Sequence, residues 1–455
     1  MSISESSSSS KDKAMTRREL LATMGTATAG MILAAGTGWS GTASAEPMPN
    51  PMPNPMQNPG FRPESVAWIN VKNYGAQGMG RFDQNDAPAI QSAIEAAGPM
   101  GGTVYFPPGR YVLRSAIMLR SNVRLVGDGP GASILKAAEP NLSMVMGLGT
   151  KWNAVEGLGF EGIGSTSPID MKLKERGIYF EKCENVSVRN CYFTTIVNGV
   201  WFNDSRHVSV SGSSFLQLFA SESLYEGYGI FAESAANFRL TGNRFRLLKR
   251  PCIYISAGSA YSIVSDNVAQ QCDDAFIVIS SKLKPSSYHR IEGNLLSAEG
   301  LENGAYAGKQ GIVLRDYCTD NVIVHNVISR AKECGISLEG DGAAGDERPL
   351  GNIVSGNKID QTERGIVLLN SDATTVTGND VRRVQTGVVL ETSGNADGSF
   401  SRHNLVTGNM LSRCSTAAIQ IAGSRCENNT VYGNTGTGNG ETLADQGKDT
   451  SKTGF

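Results

Sequence analysis

Apolar residues recur along the chain in short runs that turn residues separate. From about residue 177 to 434, each unit starts with a small residue and an apolar strand, as in Gly177-Ile-Tyr-Phe and Gly365-Ile-Val-Leu. Apolar and polar positions alternate within the runs, which is typical of strands with one buried face. The pattern therefore predicts many short strands joined by tight turns.

Each unit ends in a turn that often reads Gly-Asn, as at Gly242-Asn243 and Gly408-Asn409. The Asn position recurs at 191 (Cys), 213 (Ser), 243, 267, 294, 326, 357, 379, 409 and 434, in steps of 22 to 32 residues. Asn tolerates the left-handed backbone region, and its amide can bond to the next Asn in a stack. This period predicts a solenoid with three strands per turn, an all-β, single-stranded right-handed parallel β-helix.

Composition and charge narrow the choice of partner. The 455 residues include 53 glycines and carry a formal charge of −2, with no long basic stretch, which argues against nucleic acid or an anionic membrane as partner. Eight cysteines form no CxxC pair. We interpret them as small apolar residues inside the domain; the alternative is a set of disulfides, with Cys183 and Cys191 as one candidate pair.

The N-terminus has the features of an exported protein. Arg17-Arg18 precede a Gly/Ala/Thr-diluted apolar stretch and a small-residue cleavage site at Ala43-Ser44-Ala45. This arrangement resembles a twin-arginine signal, which implies use of the bacterial or archaeal twin-arginine export machinery and a secreted or extracytoplasmic protein without a membrane in its mature form. The alternative is a membrane anchor. We predict a signal peptide over 1–45, a Pro/Met/Asn-rich linker over 46–65, a β-helix domain over 66–440 and a polar tail over 441–455.

The segment 66–135 carries a family resemblance. Ile69-Asn-Val-Lys-Asn-Tyr-Gly-Ala-Gln-Gly78, Gly101-Gly-Thr-Val-Tyr-Phe-Pro-Pro-Gly-Arg-Tyr111 and Val123-Arg-Leu-Val-Gly-Asp-Gly129 resemble the start of the pectate-lyase-like superfamily, shared with rhamnogalacturonases and epimerase-like proteins. The resemblance implies a β-helix that acts on carbohydrate. Between these motifs we predict an amphipathic helix, capped at Asn85 or Asp86 and with Ile90 and Ile94 facing inward, that closes the N-terminal end of the core.

The longest insertions flank the middle coils, at 218–229, 281–288, 299–310 and 340–350. In β-helix enzymes of this kind the substrate lies along one sheet, in a groove that long turns border. We therefore expect the groove to cross the strands that start near 229, 252, 275, 311 and 335.

Asp273 and Asp274 stand at the start of one of these strands and resemble the paired aspartates of the polygalacturonase family. Two carboxylates in one cleft can divide the roles of general acid and base. The chain departs from that family because Arg250-Pro251-Cys252 replaces its aspartate one coil earlier and Lys309-Gln310 replaces its histidine one coil later. The alternative is that both aspartates cap a turn, paired with Arg250.

Basic residues near this pair suit an acidic sugar, because β-elimination requires neutralisation of the uronate carboxylate and a base for the adjacent proton. We assign Asp273, Asp274, Lys309 and Arg315 as candidate catalytic residues. Candidate substrate-binding residues are Arg250, Tyr228, His289, Glu339 and Tyr317. Each charge taken singly also fits a solvated turn. A Ca²⁺ site from Asp273, Asp274 and Glu339 is conceivable, but we assign no metal ligands.

The sequence thus predicts a secreted enzyme that cleaves a polysaccharide, of uronate-containing, pectin-like type, by β-elimination or hydrolysis. One alternative is a non-catalytic polysaccharide-binding or surface scaffold on the same solenoid. Another is a sugar epimerase or glycosyl transferase of the same superfamily. Both a monomer and a homotrimer remain open.

Overall fold

The computed structural model describes residues 68–98, 100–164, 174–221, 226–301, 304–341, 347–393 and 399–455. The predicted signal peptide and linker lie outside the described residues. Within these ranges no helix has both the length and the apolar character needed to cross a membrane.

The strands stack in parallel into three faces, which we call A, B and C in the order in which each coil visits them. Face A consists of Ile117–Met118, Ser143–Leu148, Arg176–Glu181, Asn198–Asn203, Ile230–Glu233, Ile253–Ser256, the first part of Ile277–Glu292, Gln310–Thr319, Cys334–Glu339, Arg364–Leu369, Thr386–Glu391, Ala417–Ala422 and Glu441–Asp445. Face B consists of Trp68–Asn70, Gly102–Phe106, Val123–Gly127, Ala154–Glu156, Glu184–Arg189, Arg206–Ser211, Ala236–Thr241, Ala260–Ser265, the last part of Ile277–Glu292, Val322–Val324, Ile353–Ser355, Thr375–Thr377, Leu405–Thr407, Thr430–Tyr432 and Ser451–Thr453.

Face C consists of Gly109–Leu113, Ser133–Ala137, Gly159–Glu161, Tyr192–Thr194, Ser214–Leu218, Arg244–Leu248, Val268–Cys272, Leu295–Ser297, Val327–Ser329, Lys358–Asp360, Asp380–Arg382 and Met410–Ser412. A short pair, Ser401–Arg402 and Cys426–Glu427, joins turns between faces A and B. Faces A and B form one sheet because Ile277–Glu292 runs through both. The right-handed parallel β-helix predicted from the repeat is confirmed.

The core lies inside the coils, where each strand points its alternate side chains. Four phenylalanines of face C stack there on successive coils with ring centroids 4.8 Å apart. They are Phe160, Phe193, Phe215 and Phe245. Such stacks add to the stability that comes from burial alone.

The Asn positions between faces B and C form the predicted ladder. Asn267 Nδ2 donates to Asn294 Oδ1 at 2.9 Å, and the same bond recurs on the following coils up to Asn434. Ser213 and Cys191 continue the column without the side-chain amide. The expectation that the Asn itself takes the left-handed conformation was wrong. The left-handed residue is the one before each Asn position, such as Gly242, and the Asn side chain points inward.

The predicted helix is present as Ala87–Ala96, after a 3-10 turn at Val71–Tyr74. Ile90 and Ile94 are fully buried in the main core, as predicted. Asn85 Oδ1 accepts from the Ala87 amide, whereas Asp86 makes no side-chain cap and instead accepts from the amides of Gln77 and Val112. The helix is thereby tied to the first coil.

The prediction of a tail over 441–455 was wrong. Glu441–Asp445 pairs with Ala417–Ala422, and Ser451–Thr453 pairs with Thr430–Tyr432, so the coils continue to residue 453. The segment is polar yet regular, because its backbone extends the ladder of the preceding coil.

All eight cysteines are buried free thiols, which confirms their interpretation as core residues. The candidate pair Cys183 and Cys191 forms no disulfide; each thiol instead donates to a nearby backbone carbonyl, that of Glu181 and of Arg189.

Candidate functional site

The outer side of face A lies between two rows of long turns. Turns leading from face C to face A, which we call the C–A edge, contain the insertions 218–229 and 299–310. Turns leading from face A to face B, the A–B edge, contain the insertions 281–288 and 340–350. The described residues of these insertions border both sides of the predicted strands and leave a groove across face A.

Aromatic side chains form the floor of this groove over its first coils. Tyr228 packs against Phe231 and Tyr254, each with ring centroids 5.0 Å away, and Trp201 lies 4.2 Å from Phe231. The Arg176 guanidinium stacks on Trp201 at 4.1 Å. The register of the parallel strands places these rings in one column, because residues opposite one another point the same way. Tyr228, a predicted substrate-binding residue, thus lies on the groove floor.

A cavity of about 470 Å³ opens beside this floor at the A–B edge. Tyr254, Ser256 and Ser280 line it from face A, and Lys282 and Lys284 line it from the long turn. Hydroxyls and ammonium groups next to an aromatic ring are suited to a sugar that carries an acid group.

Asp273 and Asp274 lie on the opposite side, at the C–A edge. Asp273 Oδ2 accepts from Lys249 Nζ at 2.5 Å, and its Oδ1 accepts from the Tyr306 amide at 2.5 Å. Asp274 Oδ2 is 3.9 Å from Arg250 Nη1, and its Oδ1 accepts from the Ala275 amide. Asp274 is thus paired with Arg250, as expected if the aspartates cap a turn. Asp273 is held on both oxygens, whereas the Asp274 carboxylate is the looser of the two.

Arg315 and Glu339 lie on adjacent strands of face A. Arg315 donates from Nε and Nη2 to Glu339 Oε2, at 3.3 and 3.1 Å. Glu339 Oε1 accepts from Gln310 and from the Ser337 hydroxyl, at 2.7 and 2.6 Å. Four donors thus hold one carboxylate on the outer side of face A, and the Arg315 side chain stays 43% exposed.

The two edges share one electrostatic environment around the tyrosines. Burial raises the pKa of Tyr228, and Tyr254 and Asp274 raise it further while Arg250 lowers it. Burial lowers the pKa of Arg315, but Glu339 and, to a lesser extent, Tyr254 outweigh burial and raise it. The structure therefore brings Asp274, Arg250, Tyr228, Arg315 and Glu339 to one groove.

Two further predicted residues lie at the margins. Lys309 is exposed on the C–A edge, immediately before Gln310, and Tyr317 is half-buried in the strand that leaves face A. Neither touches the central ion pairs through an interaction that the structure records. Both border the groove.

The assignment of His289 to substrate binding is contradicted. Its side chain is 1% exposed and points into the coil, where Nδ1 bonds to the Ser262 hydroxyl at 2.6 Å and Nε2 lies 2.9 Å from the Ser259 carbonyl. Burial lowers its pKa to about 4. His289 stands five residues before Asn294, the spacing of Asn321 before Asn326, and its amide donates to Asn321 Oδ1. His289 therefore occupies a position in a second ladder of inward-pointing polar residues, and its spacing from Asn294 could have indicated this from the sequence.

Sequence reasoning missed Asp316 as part of the site. It is 2% exposed at the A–B edge, and its Oδ2 has no hydrogen-bond partner among the residues that the structure describes. Burial, together with the nearby Asp341, raises the pKa of Asp316. Asp341 is in turn 3.7 Å from Lys282. An acidic residue that leaves a strand next to two insertions is the signal that could have indicated it.

The acidic residues do not converge on a metal. In the part of the chain that the structure describes, no group of three or more His, Cys, Asp or Glu side chains is close enough to hold an ion. Asp273 and Asp274 precede their strand whereas Glu339 ends its own, so the conceivable Ca²⁺ set is split between the two edges.

Comparison with known families agrees with the β-helix fold. Residues 68–287 match the family model described as rhamnogalacturonase A/epimerase, pectate lyase-like. Residues 309–452 match the one described as periplasmic copper-binding protein (NosD). Both matches, with the β-helix fold, support the pectate-lyase-like superfamily. In the part of 309–452 that the structure describes, no group of three or more His, Cys, Asp or Glu side chains is close enough to hold an ion.

Several curated proteins resemble parts of the chain. Plasmin and fibronectin-binding protein A of Streptococcus pneumoniae is 29% identical over 205 residues, 39% of this chain and 28% of that protein. Mannuronan C5-epimerase AlgE6 of Azotobacter vinelandii is 41% identical over 87 residues, 17% of this chain and 10% of the epimerase. Alginate lyase 7 of the same organism is 42% identical over 78 residues, 15% of this chain and 9% of the lyase. The chain thus matches under a third of the length of each of these relatives.

Solved structures share the fold at low identity. The catalytic unit of a GH87 α-1,3-glucanase from Streptomyces thermodiastaticus has a TM-score of 0.60 at 16% identity, covering 87% of this chain and 70% of that one. An exopolygalacturonase from Thermotoga maritima has a TM-score of 0.52 at 12% identity, covering 86% and 93%. The related proteins named here include several that act on carbohydrate.

Proposed function

We propose that this protein is an extracytoplasmic enzyme that binds an acidic polysaccharide along face A and cleaves it by β-elimination or hydrolysis. One observation carries the proposal: ion-paired carboxylates and cations occupy both edges of an aromatic-floored groove with a cavity of about 470 Å³. The match to a periplasmic family and the twin-arginine-like N-terminus support the location.

The groove assigns different tasks to its residues. Tyr228 and Tyr254 stack on sugar rings, and Arg315 with Lys282 and Lys284 neutralises the acid groups of the polymer. Glu339 orients the Arg315 fork through its bonds to Nε and Nη2. Neutralising the carboxylate lowers the cost of removing the adjacent proton or of developing charge on the ring.

Asp274 is the proton-transferring group of this proposal, because its carboxylate lacks the second donor that holds Asp273. Asp273 positions the C–A edge by joining Lys249 to the backbone at Tyr306. Lys309, exposed on the same edge, contacts the substrate on the C–A side. General acid–base groups contribute on the order of a hundredfold to ten-thousandfold in rate.

A panel of polymers tests the proposal. The purified protein is incubated with homogalacturonan, rhamnogalacturonan, alginate, glycosaminoglycans and neutral glucans, and both ultraviolet absorbance of unsaturated uronides and reducing ends are followed, with and without Ca²⁺. We expect reducing ends to rise on an acidic polymer only; absorbance rising with them means elimination. Asp274→Asn should lower the rate at least about a hundredfold, while Asp266→Asn, on an exposed turn of the same coil, should not. No product from any acidic polymer would refute the proposal.

A non-catalytic surface protein is a second candidate, favoured by the match to plasmin and fibronectin-binding protein A. It predicts retention on an immobilised polysaccharide without release of product. An epimerase is a third, favoured by the 41% identity to a mannuronan C5-epimerase over 87 residues. It predicts a change in uronate stereochemistry by NMR at constant chain length.

A further inference from the structure

A second groove runs along the C–A edge, in the coils that follow the site. Residues in the left-handed conformation end four successive strands of face C and form one wall: Arg330, Gln361, Arg383 and Arg413. Backbone bonds between successive turns keep them in register, from Arg330 to Asp360 and from Arg383 to Ser412. Ala331, Thr362 and Val384 are buried and form the floor. We call this groove the basic trough.

The other wall of the basic trough comes from the residues that lead into face A: Lys332, Glu363, Gln385 and Ser415. The volume of the trough is about 610 Å³. Strands of a sheet lie about 4.8 Å apart, so four coils give a channel of about 14 Å that is parallel to the helix axis. Its shape is that of a site for an extended polymer.

The described residues that line the trough include four cations and one carboxylate, in a protein whose formal charge is −2. Arg383 pairs with Asp360 and Arg330 with Glu299. Lys332 and Arg413 are exposed and form no ion pair with the residues that the structure describes. They stand on opposite walls, three coils apart, so two cations remain available to a ligand at its two ends.

The trough begins where the C–A wall of the face A groove ends. The Lys332 amide donates to the Gly308 carbonyl at 3.0 Å, and the Glu333 amide donates to the Lys309 carbonyl at 2.8 Å. A polymer that leaves face A over this edge would therefore meet the trough directly.

We infer that the basic trough is a separate binding site for an extended polyanionic saccharide, held by Lys332 and Arg413 through its acid groups. Guanidinium and ammonium groups bind carboxylates and sulfates, and the trough supplies them along its axis. The Gln361 and Gln385 amides offer donors to sugar hydroxyls between them. Single-stranded nucleic acid is disfavoured because none of the described residues that line the trough is aromatic and could stack on a base. The inference concerns binding alone and stands apart from cleavage on face A.

Affinity electrophoresis in gels containing polygalacturonate, a sulfated glycosaminoglycan, a neutral glucan or single-stranded DNA tests the inference with the full chain. The test variant is Lys332→Gln/Arg413→Gln. The control is Lys358→Gln/Arg382→Gln, which removes the same charge from exposed positions of face C outside the trough. We expect the test variant to bind one acidic polysaccharide about tenfold more weakly at low salt, with a shallower salt dependence. The gel that shows the loss tells whether carboxylate or sulfate is recognised.

Cleavage of short oligosaccharides is measured on the same two variants and should match the unaltered protein, so that a failed trough and a failed enzyme are distinguishable. Unchanged affinity of the test variant would overturn the inference. So would an equal loss in the control, which would mean unspecific charge attraction, and so would a loss confined to DNA.

Discussion

Arg315 on one strand of face A donates twice to a single oxygen of Glu339 on the next strand, at 3.3 and 3.1 Å. The other oxygen of Glu339 is occupied by Gln310 and Ser337, so the guanidinium has one fixed orientation in the groove. A planar, oriented cation of this kind recognises a carboxylate by geometry as well as by charge.

Arg315→Lys should therefore weaken turnover of an acidic substrate. Lysine keeps the charge but cannot provide the rigid fork, and we expect kcat/KM to fall about tenfold to a hundredfold. Steady-state kinetics on the polymer identified by the panel would measure it. Arg290→Lys is the matched control, since Arg290 contacts Glu292 on the outside of face B; an equal fall in both variants would remove Arg315 from the site.

Asp273→Asn should affect the stability of the fold more than the rate of the catalysed reaction. The carboxylate joins Lys249 to the Tyr306 amide and is about one-third exposed, so we expect the free energy of unfolding to drop by about 1 kcal/mol. KM should rise more than kcat falls, because the C–A edge loosens. Chemical denaturation and kinetics together check this. A large loss of kcat with unchanged stability would instead give Asp273 the role that we assign to Asp274.

Stability should depend on pH through His289. The native pKa is about 4 against an ordinary value of 6.5, so the unfolded chain binds more protons between these values. The free energy of unfolding therefore falls as the pH is lowered from 6.5 towards 4, by about 3 kcal/mol in total. Urea denaturation at several pH values measures the slope. His289→Gln should flatten this slope, and His207→Gln, at an exposed position, should leave it intact.

Asn294→Ala should destabilise the fold strongly. Asn294 bonds to Asn267, to Asn326 and to the Val264 carbonyl, all buried. Their loss leaves donors and acceptors unpaired, and we expect about 2 to 4 kcal/mol. Thermal and urea denaturation of Asn294→Ala and of Gln270→Ala, an exposed position on face C, would compare the two. Similar stability of both variants would show that the ladder adds nothing.

The cysteine thiols should be unreactive in the native protein. Burial raises the pKa of Cys191 and Cys334 to about 12 and that of Cys414 and Cys426 to about 11. We expect a thiol reagent to label none of the eight cysteines in buffer and all eight in denaturant. A reductant should leave the melting temperature unchanged; a drop would reveal a disulfide.

The repeat made the fold predictable because a stacked coil gives every slot the same environment. Asn267 and Asn326 were recognisable from their spacing alone. Individual side chains at the corners were not, because a left-handed residue interrupts the alternation of strand positions. Tyr288 has a φ of 59° and turns His289 inward, and Asp316, with a φ of 61°, is itself buried. The ion pairs of Lys249 with Asp273 and of Arg315 with Glu339 link different coils, so their geometry depends on register rather than on sequence distance.

The stacked phenylalanines and the asparagine ladder occupy largely different coils of the β-helix. The ring stack from Phe160 to Phe245 joins the earlier coils, and the amide bonds from Asn243 to Asn434 join the later ones. The two sets share the coil that contains Asn243 and Phe245. Apolar burial has a large heat capacity and weakens on cooling, whereas bonds between amides do not follow that course. Each coil of a solenoid makes its contacts chiefly with the coils next to it. One apolar core runs through both segments, so the asparagine ladder adds to the later coils a stabilising contribution that does not weaken on cooling in the same way.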